Sequence, residues 1–137
     1  MNIAGMSVKG KTLSIVIFSV VDGQFAIVKT TPKIELGSSD SQDEMKAFNT
    51  ILGSFIRENH IDTVYLKSRS KKGQFSGGVD GFKIEAMLQL LPVPLVLISP
   101  QTIAAAKRKV EMTTPVSIHL YQAEAYETAY CGFMKNA

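Results

Sequence analysis

The chain has 137 residues, of which 45% are apolar and 20% charged, with a formal net charge of +3 and a pI of ≈ 9.0. This composition predicts one globular domain over residues 1–137 and excludes a disordered chain, while the mild basicity permits a nucleic-acid partner without requiring one. The single cysteine excludes an internal disulfide and a cysteine zinc cluster, and the apolar runs are too short for a membrane span, so we expect a cytoplasmic protein.

The first part of the chain predicts a β-meander over residues 2–36. Three segments are rich in β-branched and aromatic side chains: residues 2–6, 13–21 and 25–30. Asp22 and Gly23 lie between the last two, and this pair favours the positive φ angles of a two-residue hairpin turn. Because Pro32 cannot donate to a β-ladder, the segment toward Leu36 is expected to be a sheet edge or a frayed extension.

Residues 41–59 predict the first helix. Ser41 and Glu44 have the Ser-x-x-Glu spacing of a capping box, in which both side chains satisfy free amides at a helix start. Apolar residues then recur at helical spacing: Met45, Phe48, Leu52, Phe55 and Ile56. We expect this apolar stripe to pack on a sheet.

Strands and helices alternate over residues 63–133. We predict strands at 63–66 and 95–98, and helices around 84–91, 100–110 and 121–133. The strand before Ser99 is wholly apolar, which predicts burial on both faces. Ser99 and Pro100 supply a helix N-cap and a first-turn proline.

The predicted order is β-β-β-α-β-α-β-α-α, which indicates an α/β fold. Right-handed crossovers would place the later strands parallel to the first, giving a mixed five-stranded sheet with helices on its flanks. Ligands in such sheets bind at the carboxyl ends of the parallel strands. In this chain that edge is formed around Ser7, Lys67 and Ser99.

Three segments of the chain resemble the RuvC-type Holliday-junction resolvases of the ribonuclease-H-like superfamily. Residues 3–7, IAGMS, resemble the first strand of that family, which ends in a catalytic aspartate. Residues 62–67, DTVYLK, resemble its fourth strand, which ends in a catalytic glutamate, and residues 122–127, QAEAYE, resemble its last helix, which carries two aspartates. The resemblance spans nearly the whole chain and extends to a group of small uncharacterised bacterial proteins of the same superfamily.

The positions equivalent to the four resolvase carboxylates are Ser7, Lys67, Glu124 and Glu127. In the resolvases these carboxylates bind divalent metal, and hard cations require anionic oxygen ligands. We therefore expect no metal and no other cofactor, and we name no catalytic residue; if a metal binds, Glu124 and Glu127 would hold it. Our hypothesis is that the ammonium of Lys67 takes the place of the metal and neutralises the two glutamates.

A basic loop follows the strand that ends at Lys67. Its cations, which could hold phosphates, are Lys67, Arg69, Lys71 and Lys72. A solvated run of charge explains them equally well. The leading interpretation is a resolvase-like protein without catalytic activity that binds nucleic acid or a partner protein through this edge.

Two alternatives stay open. The first is a magnesium- or manganese-dependent nuclease in which Asp80 or Glu85 completes the site. The second is a structural dimerisation module, since the resolvases that this chain resembles are dimers. Tyr121, Tyr126 and Tyr130 recur at roughly helical spacing, which suits either a core seam or a homodimer interface. No membrane partner is expected.

Other polar residues have simpler interpretations. The run from Lys107 to Lys109 closes a predicted helix, where cations complement the helix dipole. His60 is expected to be a cap or surface residue, and Cys131 a buried small hydrophobe. The glycines at 73, 77 and 78 lack the spacing of a nucleotide-binding loop.

Overall fold

The computed structural model describes residues 1–68 and 78–135. Within these residues the chain forms six strands and four α-helices. The strands are β1 (Asn2–Lys9), β2 (Thr12–Val21), β3 (Gln24–Val28), β4 (Lys33–Glu35), β5 (Ile61–Lys67) and β6 (Leu95–Ile98). The helices are α1 (Gln42–Glu58), α2 (Gly78–Gln89), α3 (Pro100–Lys109) and α4 (Ala123–Lys135), and a 3₁₀ turn at Leu120–Gln122 leads into α4.

The strands form one mixed sheet in the order β3-β2-β1-β5-β6. β1 runs antiparallel to β2 and parallel to β5, and β6 is parallel to β5. The sheet therefore has the predicted α/β arrangement. The carboxyl ends of β1, β5 and β6 lie at the same edge, together with the start of β2.

The prediction of five strands was wrong, because β4 also pairs with β2. β2 is ten residues long, and β3 pairs only with its second half, from Ile17 to Val21. The first half of that side of β2 is left for β4, which pairs with Thr12 to Ser14. Pro32 cannot donate to Ile15, but its carbonyl accepts from the amide of Ile15 at 3.0 Å, and the carbonyl of Ile15 accepts instead from the Nε2 of Gln122 at 2.8 Å.

β1 is longer than predicted, because residues 7–9 continue the strand instead of forming a link. β1 and β2 pair without interruption up to Lys9 opposite Thr12. The chain then reverses through Gly10, whose φ of 60° is in the region that glycine adopts without strain. Ser7 is consequently a strand residue, buried and paired with Ser14.

The helices cover the two faces of the sheet. α1 and α2 pack on one face, where their apolar side chains join those of alternate strand positions such as Met6, Ile15 and Leu66. α4 and the inner side of α3 pack on the other face, with Ile3, Phe18 and Tyr65. Because successive strand residues point to opposite faces, Ser7, Ser14 and Lys67 belong to the α4 face.

β6 is an edge strand, which corrects the prediction of a strand buried on both faces. Val96 and Leu97 are 36% and 38% exposed. β6 is the last strand in the sheet order, so it has a partner on one side only. An apolar sequence thus predicted the strand but not its place in the sheet.

α4 lies directly against β1 and β5. A Cβ atom at Gly5 would overlap the carbonyl oxygen of Ala125 and the backbone of Ala129, and one at Gly132 would overlap the ring of Tyr65. Glycine at these two positions therefore sets the distance between helix and sheet, and with it the position of the first turn of α4. In residues 1–68 and 78–135 none of the helices is both long and apolar enough to cross a bilayer.

Candidate functional site

An ion pair joins the end of β5 to the start of α4. Lys67 is the last residue of β5 and Glu124 the second residue of α4, and the Lys67 Nζ lies 2.9 Å from the Glu124 Oε1. The two side chains are 27% and 54% exposed, so the pair lies at the surface of the sheet edge. The structure thus brings together the two residues that the sequence hypothesis paired.

Glu127 has a different partner from the expected one. Its Oε2 lies 3.0 Å from the Nζ of Lys107, at the end of α3, and the Glu127 side chain is only 17% exposed. Lys107 therefore does more than complement a helix dipole, and Lys67 does not neutralise both glutamates. One turn of helix separates Glu124 from Glu127, and this places the second carboxylate toward α3 instead of β5.

The turn before α4 is fixed to the sheet by a buried amide. The Nε2 of Gln122 donates to the carbonyl of Ile15 at 2.8 Å, and its Oε1 accepts from the amide of His119 at 2.8 Å. Gln122 is 5% exposed. These two bonds anchor the 3₁₀ turn on β2, so the position of Glu124 is determined at its own end of the helix as well as by Gly5.

The residues at this edge do not fit a divalent metal ion. Ser7 offers a neutral hydroxyl and Lys67 a cation, whereas magnesium and manganese bind anionic oxygens. No three His, Cys, Asp or Glu side chains are grouped as metal ligands in the part of the chain that the structure describes. Residues 69–77 read RSKKGQFSG and contain none of these residue types.

The carboxylates proposed as substitutes belong to the other face of the sheet. Asp80 and Glu85 are both on α2, which packs on the face opposite α4. Asp80 accepts a hydrogen bond from the hydroxyl of Ser39, in the loop before α1. Neither residue therefore joins Glu124 and Glu127 in a rearranged site.

Three further lysines line this edge, and sequence reasoning missed them. Lys9 ends β1, Lys11 follows in the turn to β2, and Lys33 begins β4. Within residues 1–68 and 78–135 no ion pair engages Lys9 or Lys11. The sequence Lys9-Gly10-Lys11 indicates a turn, and it would have placed these lysines at the edge if the predicted first strand had continued past Met6.

The other members of the predicted basic loop lie outside the described residues. Those positions are Arg69, Lys71 and Lys72. Lys67 lies at the predicted edge, but its charge is already paired. At this edge the described lysines that form no ion pair are therefore Lys9 and Lys11, whereas Lys33 is paired with Glu35 at 3.3 Å and Lys67 with Glu124.

A cleft of ≈ 650 Å³ opens beside the ion pair. Its lining includes Ser7, Lys9, Lys33, Tyr121 and Glu124. The same cleft is therefore lined by two positions equivalent to resolvase carboxylates, Ser7 and Glu124, and by two of the edge lysines, Lys9 and Lys33. It is large enough for a group the size of one nucleotide.

Two of the three predicted tyrosines belong to the core. Tyr126 packs edge-on against Phe18 and against Tyr130, which in turn contacts Phe25. Burial raises the pKa of Tyr126, with a smaller contribution from Tyr130. Tyr121 differs, since it is 44% exposed.

Two minor predictions are confirmed. Cys131 is buried, and burial raises the pKa of its thiol, an effect to which Glu127 adds and which Lys135 opposes. His60 follows the C-cap residue Asn59 with a φ of 52°, as expected of a residue that ends a helix.

Comparisons with known proteins agree with this fold. Residues 1–132 match the family described as "Protein of unknown function (DUF3010)". No curated protein matches the chain. Among solved structures the chain is similar to Thermus thermophilus RuvC in complex with a Holliday junction substrate, at a TM-score of 0.69 and 12% identity over 99% of this chain and 95% of that one.

Two other resolvase structures are similar to the chain. The Fowlpox virus resolvase in complex with its Holliday junction substrate has a TM-score of 0.57 at 12% identity, over 99% of both chains. The yeast mitochondrial Holliday junction resolvase Ydc2 has a TM-score of 0.51 at 11% identity, over 80% of this chain and 57% of that one. The chain therefore has the RuvC-like, ribonuclease-H-like fold that the resemblance predicted.

Proposed function

This chain belongs to the DUF3010 family of proteins of unknown function, and we propose that it binds nucleic acid at the carboxyl edge of its sheet and does not cleave it by metal-ion catalysis. The observation that carries the proposal is the Lys67–Glu124 ion pair at 2.9 Å. Because Lys67 neutralises Glu124, the described charges that remain at this edge are mostly positive, and they favour the binding of polyanions over the binding of divalent cations.

The charges at the site support the proposed absence of metal-dependent cleavage. The resolvases that this chain resembles cleave DNA with several carboxylates arranged around one or two divalent ions. Here one glutamate is paired with Lys67, the other with Lys107, and Ser7 is neutral. A divalent ion would have to displace two ammonium groups to reach a site with half of the expected ligands.

Nucleic-acid binding is supported by the lysines around the edge. Lys9 and Lys11 extend from the β1–β2 turn, Lys33 lies beside them on β4, and the sequence adds cations at 69, 71 and 72. Clustered lysines bind phosphates by charge, in a salt-dependent way. Two of the structures that share the fold are described as Holliday-junction complexes, which makes branched DNA a reasonable first probe.

The test is fluorescence anisotropy with a labelled four-way DNA junction and a labelled single strand, over a range of salt concentrations. Binding should weaken as salt rises, because phosphate contacts release counterions. The double change Lys9→Gln with Lys11→Gln should lower the slope of log affinity against log salt by about 1.4 to 1.8, on the basis of 0.7 to 0.9 per contact. No binding at low salt, or a slope unchanged by the double variant, contradicts the proposal.

Lys46 provides the matched control. It is exposed on α1, on the opposite face of the sheet, so Lys46→Glu changes the net charge by the same two units as the double variant, but away from the edge. That variant should bind as the unmodified protein does. A magnesium-dependent cleavage of the junction that is abolished by Glu124→Gln would contradict the proposed absence of catalysis.

A further inference from the structure

Tyr121 is an exposed aromatic residue held in a fixed orientation. It lies in the 3₁₀ turn before α4 and is 44% exposed. Its ring stacks on the ring of His119 with centroids 5.0 Å apart and planes at 7°. The next residue, Gln122, ties this turn to β2 through its bond to the carbonyl of Ile15. An exposed ring on a rigid support loses little further conformational entropy when a planar ligand binds.

A cation accompanies this aromatic pair. The Nζ of Lys33 lies 5.2 Å from the centroid of the Tyr121 ring, within the range of a cation–π contact. Both residues line the ≈ 650 Å³ cleft that extends to Ser7 and Glu124, and Lys9 lines it too. The cleft therefore offers an aromatic surface and two ammonium groups within one concave region.

The fold itself does not require this arrangement. Tyr126 and Tyr130 make their aromatic contacts inside the core, with Phe18 and Phe25. Tyr121 instead projects at the rim, and its neighbour Leu120 is 86% exposed. Exposed aromatic and aliphatic side chains beside lysines are the combination that binds unstacked bases.

We infer that Tyr121, supported by His119, stacks on one unpaired base of a nucleic-acid strand that enters the cleft, and that the ammonium of Lys33 leaves the Tyr121 ring to bind, with Lys9, the adjoining phosphates. The inference rests on the proposed nucleic-acid binding and adds a preference for strands with unpaired nucleotides. In a duplex both faces of a base are covered by its neighbours, so only an unpaired base can stack on Tyr121. Stacking of this kind tolerates any base, because every base has a π face.

The test compares Tyr121→Leu with Tyr121→Phe, using a labelled twelve-nucleotide single strand and a duplex of the same sequence. Leucine removes the aromatic ring and phenylalanine keeps it. Tyr121→Leu should weaken single-strand binding by about tenfold, or about 1.4 kcal/mol, because the stacking of one base on an aromatic ring is lost. Tyr121→Phe should bind within about twofold of the unmodified protein, and duplex binding should be unchanged in both variants.

A second measurement separates stacking from a general loss of structure. A single strand with one abasic position should bind the unmodified protein less tightly than an intact strand, whereas Tyr121→Leu should not distinguish the two. Circular dichroism should give the same unfolding midpoint for all three proteins.

Failure of the proposed nucleic-acid binding and failure of the stacking surface give different results in these measurements. If the unmodified protein binds neither strand nor duplex at low salt, both the proposed function and the stacking surface are overturned. If it binds the single strand in a salt-dependent way and Tyr121→Leu binds equally well, the stacking surface alone is overturned. Equal weakening of strand and duplex by Tyr121→Leu also overturns it.

Discussion

Reversal of the charge at position 67 should allow the edge to bind a divalent ion. The Lys67 Nζ lies 2.9 Å from the Glu124 Oε1. A magnesium–oxygen bond is about 2.1 Å long, so an ion held by that oxygen would lie at most about 5 Å from the ammonium. At that separation a unit positive charge repels a divalent ion by about 1.7 kcal/mol, even with the dielectric constant of water.

Lys67→Glu replaces this repulsion with an attraction of similar size. The change amounts to about 3 kcal/mol, which is more than a hundredfold in the dissociation constant for the ion. Lys67 is partly exposed, so a glutamate can be accommodated there without burying a charge. Isothermal titration with manganese chloride measures the affinity directly. The variant should bind manganese at least a hundredfold more tightly than the unmodified protein does.

The control for this titration is Lys46→Glu, which makes the same change in net charge on α1. Manganese binding to that variant should equal binding to the unmodified protein. Exclusion of the ion by the Lys67 ammonium is contradicted if Lys67→Glu binds manganese no more tightly than Lys46→Glu. It is also refuted if the unmodified protein already binds manganese at micromolar concentrations, because the ammonium would then not exclude the ion.

Three other predictions concern stability. Lys67→Met removes a partly exposed ion pair, so urea unfolding should show a loss of at most about 1 kcal/mol, and a loss above 3 kcal/mol would contradict a surface pair. Gly5→Ala should lower the free energy of unfolding by about 1–3 kcal/mol, because the added Cβ overlaps Ala125; an unchanged urea midpoint would mean that α4 shifts freely. The raised pKa of Cys131 means that folding opposes ionisation of its thiol. The contribution of this thiol to the free energy of unfolding is therefore complete below the ordinary thiol pKa of about 8.5. It is lost as the pH rises through the higher pKa that the thiol has in the folded state. Cys131→Ala should therefore reduce the alkaline fall in unfolding free energy, and an identical pH profile for both proteins would count against burial as the cause.

The starts of α1 and α3 could be predicted from the sequence because their signals are local. The hydroxyl of Ser41 accepts from the amide of Glu44 at 3.3 Å, as the capping box predicts. The carboxylate of Glu44, however, accepts from the amide of Ser38 at 2.6 Å instead of bonding back to Ser41. Ser99 caps α3 and Pro100 is its first residue, as predicted. These N-caps depend on residues within one helical turn, so the sequence alone was sufficient to predict where the two helices begin.

Features that depend on distant parts of the chain could not be predicted in the same way. The pairing of β4 depends on how far β3 extends along β2, and a three-residue strand has too short a pattern to be recognised. The exposure of β6 depends on its being last in the sheet order. Likewise, the partner of Glu127 could not be inferred, because Lys107 reaches it only when α3 and α4 pack together.

The Lys67–Glu124 contact was predictable only because resemblance to a known family aligned two segments that are far apart in the sequence. Neither residue has a local signal that indicates the other. Tyr121 illustrates the opposite case, since its periodicity with Tyr126 and Tyr130 concealed that it lies before the helix and not within it.

The close approach of α4 to β1 has an evolutionary consequence. Gly5 and Gly132 hold the helix to the sheet through backbone contact and ring packing, and neither carries charge. The scaffold that presents positions 7, 67, 124 and 127 is therefore independent of the chemistry of those side chains. Single substitutions could therefore exchange acidic for basic groups at these positions and leave the architecture unchanged.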